Sequence, residues 1–255
     1  MCSVSRHAPR VRRLAALLLI TCVGSSRAEE PLLGTIDGRV IVRGEVTNKQ
    51  QALSLVDSVV ADVGRRFDTK LEKPITLLLY SDEARYRDVA ASTGEVISDW
   101  GFYLPDKRVA IANLGASIGN LRHELVHPLL GDGYPGIPAW LNEGIASLYG
   151  SAKLGKHGFT FLVNYRLRDL QRALAKDALP NLAALAKTTP MDLHGDRAMM
   201  WYAYARYVLL YVDRKGALRK MYGELRASSV DKHPAILARY VDEQAFRAWA
   251  KKLRY

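Results

Sequence analysis

The chain has 255 residues, 49% of them hydrophobic and 25% charged, a composition typical of a soluble globular protein with a sizeable core. Its 37 basic and 26 acidic residues give a formal net charge of +11, but the basic residues are scattered and interleave with acidic ones. There is neither a long basic run nor a nucleic-acid-binding module signature, so a nucleic-acid partner is not expected.

Residues 1–28 have the features of a secretory signal peptide. Arginines precede an apolar run at residues 14–23, and small residues lead to a cleavage position after Ala28. Ten apolar residues are too few to cross a bilayer, which disfavours a membrane anchor. Lipoprotein anchoring at Cys22 is also disfavoured, because Thr21 fits such a motif poorly. We predict an exported protein, periplasmic or secreted, without a stable membrane span in the mature chain.

Cleavage would change both the cysteine content and the charge. Cys2 and Cys22 are the only cysteines, so the mature chain would have no disulfides and no thiolate metal ligands. The removed segment has five arginines and no acidic residue. The remaining 32 basic and 26 acidic residues give a net charge of +6, which is only moderately basic.

Residues 29–112 are predicted to form a small α/β lobe. The expected elements are a strand or hairpin at 34–46, a helix at 48–67, a strand at 75–80, a helix at 81–92 and a hairpin at 98–112. Residues 75–80, "ITLLLY", read as a buried strand because they are continuously apolar.

Residues 113–255 are predicted to form a mostly helical lobe, so that the fold class is α+β and residues 29–255 make one domain. A first helix is expected to reach a turn at 131–136, and a second to run from Pro138 to Gly150. Later helices are predicted around 160–175, 197–213, 216–226 and 242–252.

The stretch "RHELVHPLL", residues 122–130, carries the chemistry of a zinc site. His123 and His127 are four residues apart, so on a helix they share a face and can direct ring nitrogens at one ion. Glu124 directly follows His123, and from this position on the helix a carboxylate can act as general base on a water at the metal. Solvated surface histidines are the alternative, but the flanking leucines indicate a buried helix.

A third ligand is expected from "PAWLNEGIASLYG", residues 138–150. Glu143 lies off the apolar stripe of this helix, beside small residues that would let the helix approach the first one closely. Catalytic zinc sites have three protein ligands and one open position, so Glu143 is the predicted third ligand of one Zn²⁺ per chain.

Together these two segments resemble the gluzincin branch of zinc metallopeptidases, in particular the bacterial peptidase-MA-like group. The resemblance covers roughly residues 35–225 and includes the tyrosine-rich stretch "YAYARYVLLYV" at 202–212. It implies His123, His127 and Glu143 as zinc ligands and Glu124 as the general base.

The resemblance also implies an oxyanion-stabilising residue from a later helix. Tyr202 is the candidate by position, with Tyr204 and His194 as alternatives. Arg206 is one turn after Tyr202, where it could orient that tyrosine or bind a substrate carboxylate.

Two departures from the pattern leave local questions open. Ser147 stands where better-known gluzincins have an aspartate that orients a zinc histidine, so Asn142 or another residue would have to do this. Pro128 directly follows His127 and is expected to kink or end the helix.

The function expected from these residues is hydrolysis of amide bonds in a peptide or protein substrate, with no obligate protein partner inferable. Two other possibilities stay open: an amidase acting on cell-wall peptides, and a catalytically silent zinc-containing envelope protein. Either strand of the 98–112 hairpin is expected to bind an extended peptide. His157, His194 and His233 are expected at the surface.

Overall fold

A computed structural model describes residues 29–94 and 98–255. The predicted signal peptide, with both cysteines, lies outside the described residues. The fold class is confirmed as mixed α and β, with a five-stranded mixed sheet in the N-terminal half followed mostly by helices.

The sheet has the strand order β1-β2-β3-β5-β4. Its strands are β1 (Leu32–Ile36), β2 (Val40–Glu45), β3 (Ile75–Tyr80), β4 (Gly101–Leu104) and β5 (Val109–Asn113). The three central strands β2, β3 and β5 are parallel, whereas β1 and β4 run antiparallel to their neighbours. The β4–β5 hairpin therefore ends the sheet, with β4 as its edge strand.

Each face of the sheet is covered by a helix. Helix α1 (Lys49–Phe67) begins at Asn48, whose side chain accepts a hydrogen bond from the Gln51 amide at 2.9 Å, as expected for an N-cap. Its valines join the main core with Leu77 and Leu79 of β3. On the opposite face, α2 (Glu83–Ala91) forms a smaller buried cluster with residues of β3 and β5.

The second half of the chain is built from eight helices within the described residues, together with one hairpin. The helices are α3 (Ile118–Gly133), α4 (Ala139–Gly150), α5 (Leu167–Ala175), α6 (Leu182–Ala186), α7 (Ala198–Arg214), α8 (Leu218–Arg226), α9 (His233–Tyr240) and α10 (Glu243–Lys252); the hairpin strands are β6 (Ala152–Gly155) and β7 (Gly158–Phe161). Two short 3₁₀ helices, Met191–Leu193 and Val230–Lys232, complete the set.

Three predictions about these elements were wrong in part. Helix α3 does not end at Pro128 but continues to Gly133, so the predicted turn at 131–136 begins later than expected. The missing N–H and the ring of a proline weaken a helix without necessarily ending it when its apolar face is packed, and Pro128 to Leu130 are buried. The helix expected from residue 160 starts only at Leu167, after the unpredicted β6–β7 hairpin.

One continuous buried cluster includes residues from the sheet half and from the helical half. Helix α3 is central to it, because it packs against β4 and β5 on one side and against α4 on the other, and α4 in turn packs against α7. The two helices that carry the predicted ligands are therefore neighbours in the core.

Candidate metal centre

His123, His127 and Glu143 meet at the contact between α3 and α4. The His123 Nε2 atom is 3.4 Å from Glu143 Oε2, and the His127 Nε2 atom is 3.8 Å from Glu143 Oε1. One potential ligand atom from each side chain lies within 4.8 Å of the other two. The structure thus brings together the three residues that the sequence predicted as ligands.

The 3.4 and 3.8 Å separations between Glu143 and the two histidines are compatible with a tetrahedral metal site. Zinc bonds to histidine nitrogen and carboxylate oxygen are about 2.0–2.2 Å long, which puts neighbouring ligand atoms about 3.3 Å apart. In addition, the buried Glu143 Oε2 accepts no well-formed hydrogen bond within the described residues. A buried carboxylate oxygen without a hydrogen-bond donor has lone pairs available for a metal ion.

Close contact between the two helices places the ligands. Gly119 near the start of α3 lies against Gly150 at the end of α4, so closely that a Cβ on Gly119 would be 2.2 Å from the Gly150 carbonyl oxygen. From the next turn of α3, Arg122 donates to the carbonyls of Tyr149 and Gly150 at 2.8 and 3.1 Å. These contacts hold the end of α4 beside His123.

Gly144, the small residue directly after Glu143, serves a different contact from the one predicted. A Cβ on Gly144 would be 2.6 Å from Leu209 Cδ1 and 3.2 Å from the backbone of Ala205, both on α7. Gly144 therefore permits the close approach of α4 to α7 rather than to α3.

Asn142 lies where a residue that orients His127 would be needed. Its Oδ1 atom is 3.1 Å from His127 Nδ1. With Nδ1 donating to this oxygen, Nε2 is left unprotonated and free to bind a cation. Ser147 lacks such a contact, since its buried Oγ has no hydrogen-bond partner among the described residues.

Glu124 is buried beside the three ligands without being one of them. Its Oε2 is 3.9 Å from His127 Nε2. Burial raises the pKa of Glu124 to about 7; the nearby His123 opposes the rise and Glu143 adds to it. A carboxyl group with a pKa near neutrality can take up and release a proton, which suits a general base.

Gly101 of β4 provides the space for Glu124. A Cβ at Gly101 would be 2.7 Å from Glu124 Cγ and 3.0 Å from its Oε1. The sequence did not single out this glycine as a site residue, because its neighbour is 23 positions away and only the packing of β4 on α3 brings them together.

The three ligand groups have different electrostatic environments. Burial lowers the pKa of His127, whereas in His123 the same effect is outweighed by the 3.4 Å contact with Glu143 and by the charges of Glu124 and Glu143. Burial would raise the pKa of Glu143, but the charge of His127 and the contact with His123 lower it to about 2. Glu143 is thus a carboxylate at neutral pH, ready to bind a cation.

Of the two tyrosine candidates, only Tyr202 interacts electrostatically with the glutamates of the metal centre. Burial raises the pKa of Tyr202, and the charges of Glu143 and Glu124 raise it further, so its hydroxyl is a proton donor at neutral pH. Tyr204 is fully buried against Trp201 and Phe246.

Arg206 is placed differently from the prediction. It is fully buried, and its guanidinium donates hydrogen bonds to the carbonyls of Ser147 and Leu162. These contacts tie α7 to the end of α4 and to the chain after β7. They argue against a direct contact of Arg206 with substrate, because buried backbone carbonyls already occupy two of its nitrogens.

The remaining histidines divide in an unexpected way. His157 and His194 are exposed, as predicted. The prediction for His233 was wrong: it is fully buried, and its Nε2 is 3.1 Å from the Leu225 carbonyl oxygen and 3.2 Å from the Tyr134 hydroxyl. Polar partners supplied by distant segments make this burial acceptable, and the local sequence gave no sign of them.

Arg166, at the start of α5, is a residue of the site that the sequence did not reveal. Its guanidinium carbon is 4.8 Å from the centre of the Tyr202 ring. After the larger effects of burial and the two histidines, the charge of Arg166 further lowers the pKa of Glu143. Within "VNYRLRDL" it looks like an ordinary helix-start arginine.

Comparison with protein-family models gives no match, and comparison with curated proteins gives none either. Within residues 29–94 and 98–255, no helix is both long enough and apolar enough to cross a membrane.

Proposed function

We propose that this protein is an exported zinc-dependent metallohydrolase of the gluzincin type, and specifically a peptidase. The observation that carries the proposal is that His123, His127 and Glu143 lie close together with Glu124 buried beside them. The pKa of Glu124 is raised to about 7, which suits a general base. Export rests on the signal-like sequence of residues 1–28.

His123, His127 and Glu143 would hold the zinc ion, and Asn142 would keep His127 in the right tautomer. When bound, zinc supplies a Lewis acid that polarises a carbonyl and lowers the pKa of water at the site. Glu124 accepts the proton of the attacking water and later passes it to the nitrogen of the leaving amine. Tyr202 donates its hydroxyl proton in a hydrogen bond to the oxyanion.

The position of β4 favours a peptide over another amide. Strand β5 lies between β3 and β4, so the inner hairpin strand has no free edge for a peptide, whereas within the described residues β4 is paired on one side only. Gly101 of this edge strand touches Glu124. An extended substrate hydrogen-bonded along β4 would therefore pass directly by the general base.

The test compares the wild-type protein with Glu124→Gln and Glu143→Gln. We expect one zinc per chain in the wild type and in Glu124→Gln, but much weaker zinc binding in Glu143→Gln. Glu124→Gln should lower kcat about 10²- to 10⁴-fold, the usual range for loss of a general base. Glu83→Gln, an exposed position in α2, is the control and should behave like the wild type.

Zinc content and hydrolysis of a panel of substrates provide the measurement. Extended peptides, single-residue amides and cell-wall peptides in the same assay separate a peptidase from a cell-wall amidase. Wild-type protein without stoichiometric zinc would contradict the proposal. Bound zinc with no hydrolysis of any substrate would instead favour the catalytically silent envelope protein, for which a buried general base has no evident use.

A further inference from the structure

Arg166 is a cation beside the metal centre that the proposed mechanism does not use. Its guanidinium lies over the ring of Tyr202 at 4.8 Å and near the ring of Tyr165 at 5.4 Å. Two aromatic rings hold the planar group in a defined position, so little side-chain freedom remains to be lost on binding a ligand.

One donor of this guanidinium lacks a partner. Arg166 Nη1 is buried and makes no hydrogen bond within the described residues, and no carboxylate among them lies within ion-pair distance of the side chain. A buried charged donor without an acceptor is costly. Such a group calls for an explanation, and a ligand that supplies the acceptor provides one.

The overall charge of the site also calls for an anion. A zinc ion carries two positive charges, which Glu124 and Glu143 as carboxylates would balance. Arg166 then leaves the filled site with one net positive charge in a partly buried setting. Guanidinium groups match carboxylates best, because two parallel N–H groups can bind the two oxygens.

We infer that Arg166 binds a carboxylate of the substrate next to the bond that is cleaved, and so sets a preference for anionic substrates. The inference rests on the proposed function and deepens it. Two groups of a peptide have this chemistry: the α-carboxylate at its C-terminus, and the side chain of an aspartate or glutamate.

The experiment uses four peptides of one parent sequence. Two differ only at the C-terminus, as free acid or amide, one residue after the scissile bond. Two longer ones have either glutamate or glutamine at that residue. The proteins are the wild type, Arg166→Gln, Arg166→Lys and, as a matched control, Arg168→Gln at an exposed position of the same helix.

We expect the wild type to favour one carboxylate peptide over its neutral twin by about 10- to 100-fold in kcat/KM, as one charged hydrogen-bonded pair would give. Arg166→Gln should lose this preference, mainly through a higher KM for the acidic peptide. Arg166→Lys should restore part of it, since lysine keeps the charge without the planar fork. The pair of peptides that shows the effect identifies the source of the carboxylate.

Binding without turnover provides a second readout. In the Glu124→Gln background, fluorescence anisotropy of the labelled peptides is measured both with zinc and after removal of zinc by a chelator. The acidic peptide should bind more tightly than its neutral twin in both conditions, and adding Arg166→Gln should abolish the difference. The metal-free measurement excludes coordination of the carboxylate by zinc itself.

The two proposals fail in different ways. If the wild type cleaves acidic and neutral peptides equally and Arg166→Gln slows both alike, Arg166 only stabilises the site, and the inference is overturned while the peptidase stands. If no peptide is cleaved, the peptidase proposal fails, whereas the binding measurement still decides whether Arg166 recognises a carboxylate.

Discussion

Two glutamates of the same site have opposite proton affinities. Burial raises the pKa of Glu124 to about 7, whereas the two histidines lower that of Glu143 to about 2 even though Glu143 is buried as well. The difference arises because Glu143 lies 3.4 and 3.8 Å from the two imidazoles, whose combined effect outweighs its burial, whereas His123 only partly offsets the burial of Glu124. One residue type thus supplies both a permanent carboxylate for a cation and a group that exchanges protons.

Asn142 is the residue for which the local geometry predicts a sharp effect on metal binding. Asn142→Ala removes the acceptor for His127 Nδ1, and we expect zinc affinity to fall about 10- to 100-fold, as for other residues that orient a metal ligand. Asn142→Asp keeps an acceptor and should retain affinity. The measurement is a competition titration against a zinc-binding dye.

Ser147→Ala provides the comparison for this prediction. Ser147 is on the same helix, but its Oγ makes no hydrogen bond in the described part of the chain, so zinc affinity should not change. Equal loss of affinity in Asn142→Ala and Ser147→Ala would show that general disturbance of α4, rather than orientation of His127, is responsible.

At the scale of elements, the site depends on how closely α3 and α4 approach each other. Their ends touch through Gly119 and Gly150, and Arg122 adds two hydrogen bonds across the same contact. Any residue larger than glycine at position 119 would push apart the helices that carry the histidines and Glu143. The separation of the ligand atoms is therefore set one turn away from the ligands.

Gly119→Ala should destabilise the protein by about 1–3 kcal/mol, the usual range for overpacking, and should also weaken zinc binding. Gly131→Ala is the matched control in the same helix, since a Cβ there would have no heavy atom within 4 Å and alanine favours a helix. Urea unfolding of both variants, without and with zinc, measures the effect. A Gly119→Ala protein as stable as Gly131→Ala would refute the close contact.

In the molecule as a whole, an ion pair joins the sheet to the C-terminal end of α3. Arg108, in the turn between β4 and β5, contacts both carboxylate oxygens of Asp132 at 2.8 Å. It also donates to the carbonyls of Lys73 and Pro74. The pair therefore fixes the C-terminal end of α3 to the sheet.

This ion pair makes stability depend on pH. Burial would raise the pKa of Asp132, but the hydrogen bonds from Arg108 and the Glu72 amide lower it below 3.8. Because the folded state favours the carboxylate, the stabilisation is complete above the unfolded pKa and is lost as the pH falls through the folded pKa.

Asp132→Asn should therefore lower the free energy of unfolding by about 1–2 kcal/mol at pH 7, and the difference from the wild type should shrink below pH 4. Denaturant unfolding at a series of pH values measures this. Asp57→Asn, at an exposed position of α1, should have no comparable effect at any pH. A difference that persists unchanged at pH 3 would contradict the assigned role of Asp132.

Features set by neighbouring residues could be read from the sequence. The apolar run at 75–80 is strand β3, the helix predicted at 48–67 is α1, and Gly150 ends α4, because strand burial, helical periodicity and helix termination depend on residues a few positions apart. The pairing of His123 with His127 follows from one helical turn, and Glu143 was predicted because it is an acidic residue off the apolar stripe of the next helix.

Contacts between distant segments were decided only by the tertiary structure. Gly101 lies beside Glu124, Arg166 lies over Tyr202, and Arg206 and His233 are buried against other elements. The residues that these contacts join are between 8 and 99 positions apart. No periodicity records such contacts, since they depend on how helices and sheet pack. Local spacing was enough to indicate the three residues that could hold a cation, whereas the packing of helices and sheet determined which other residues surround them.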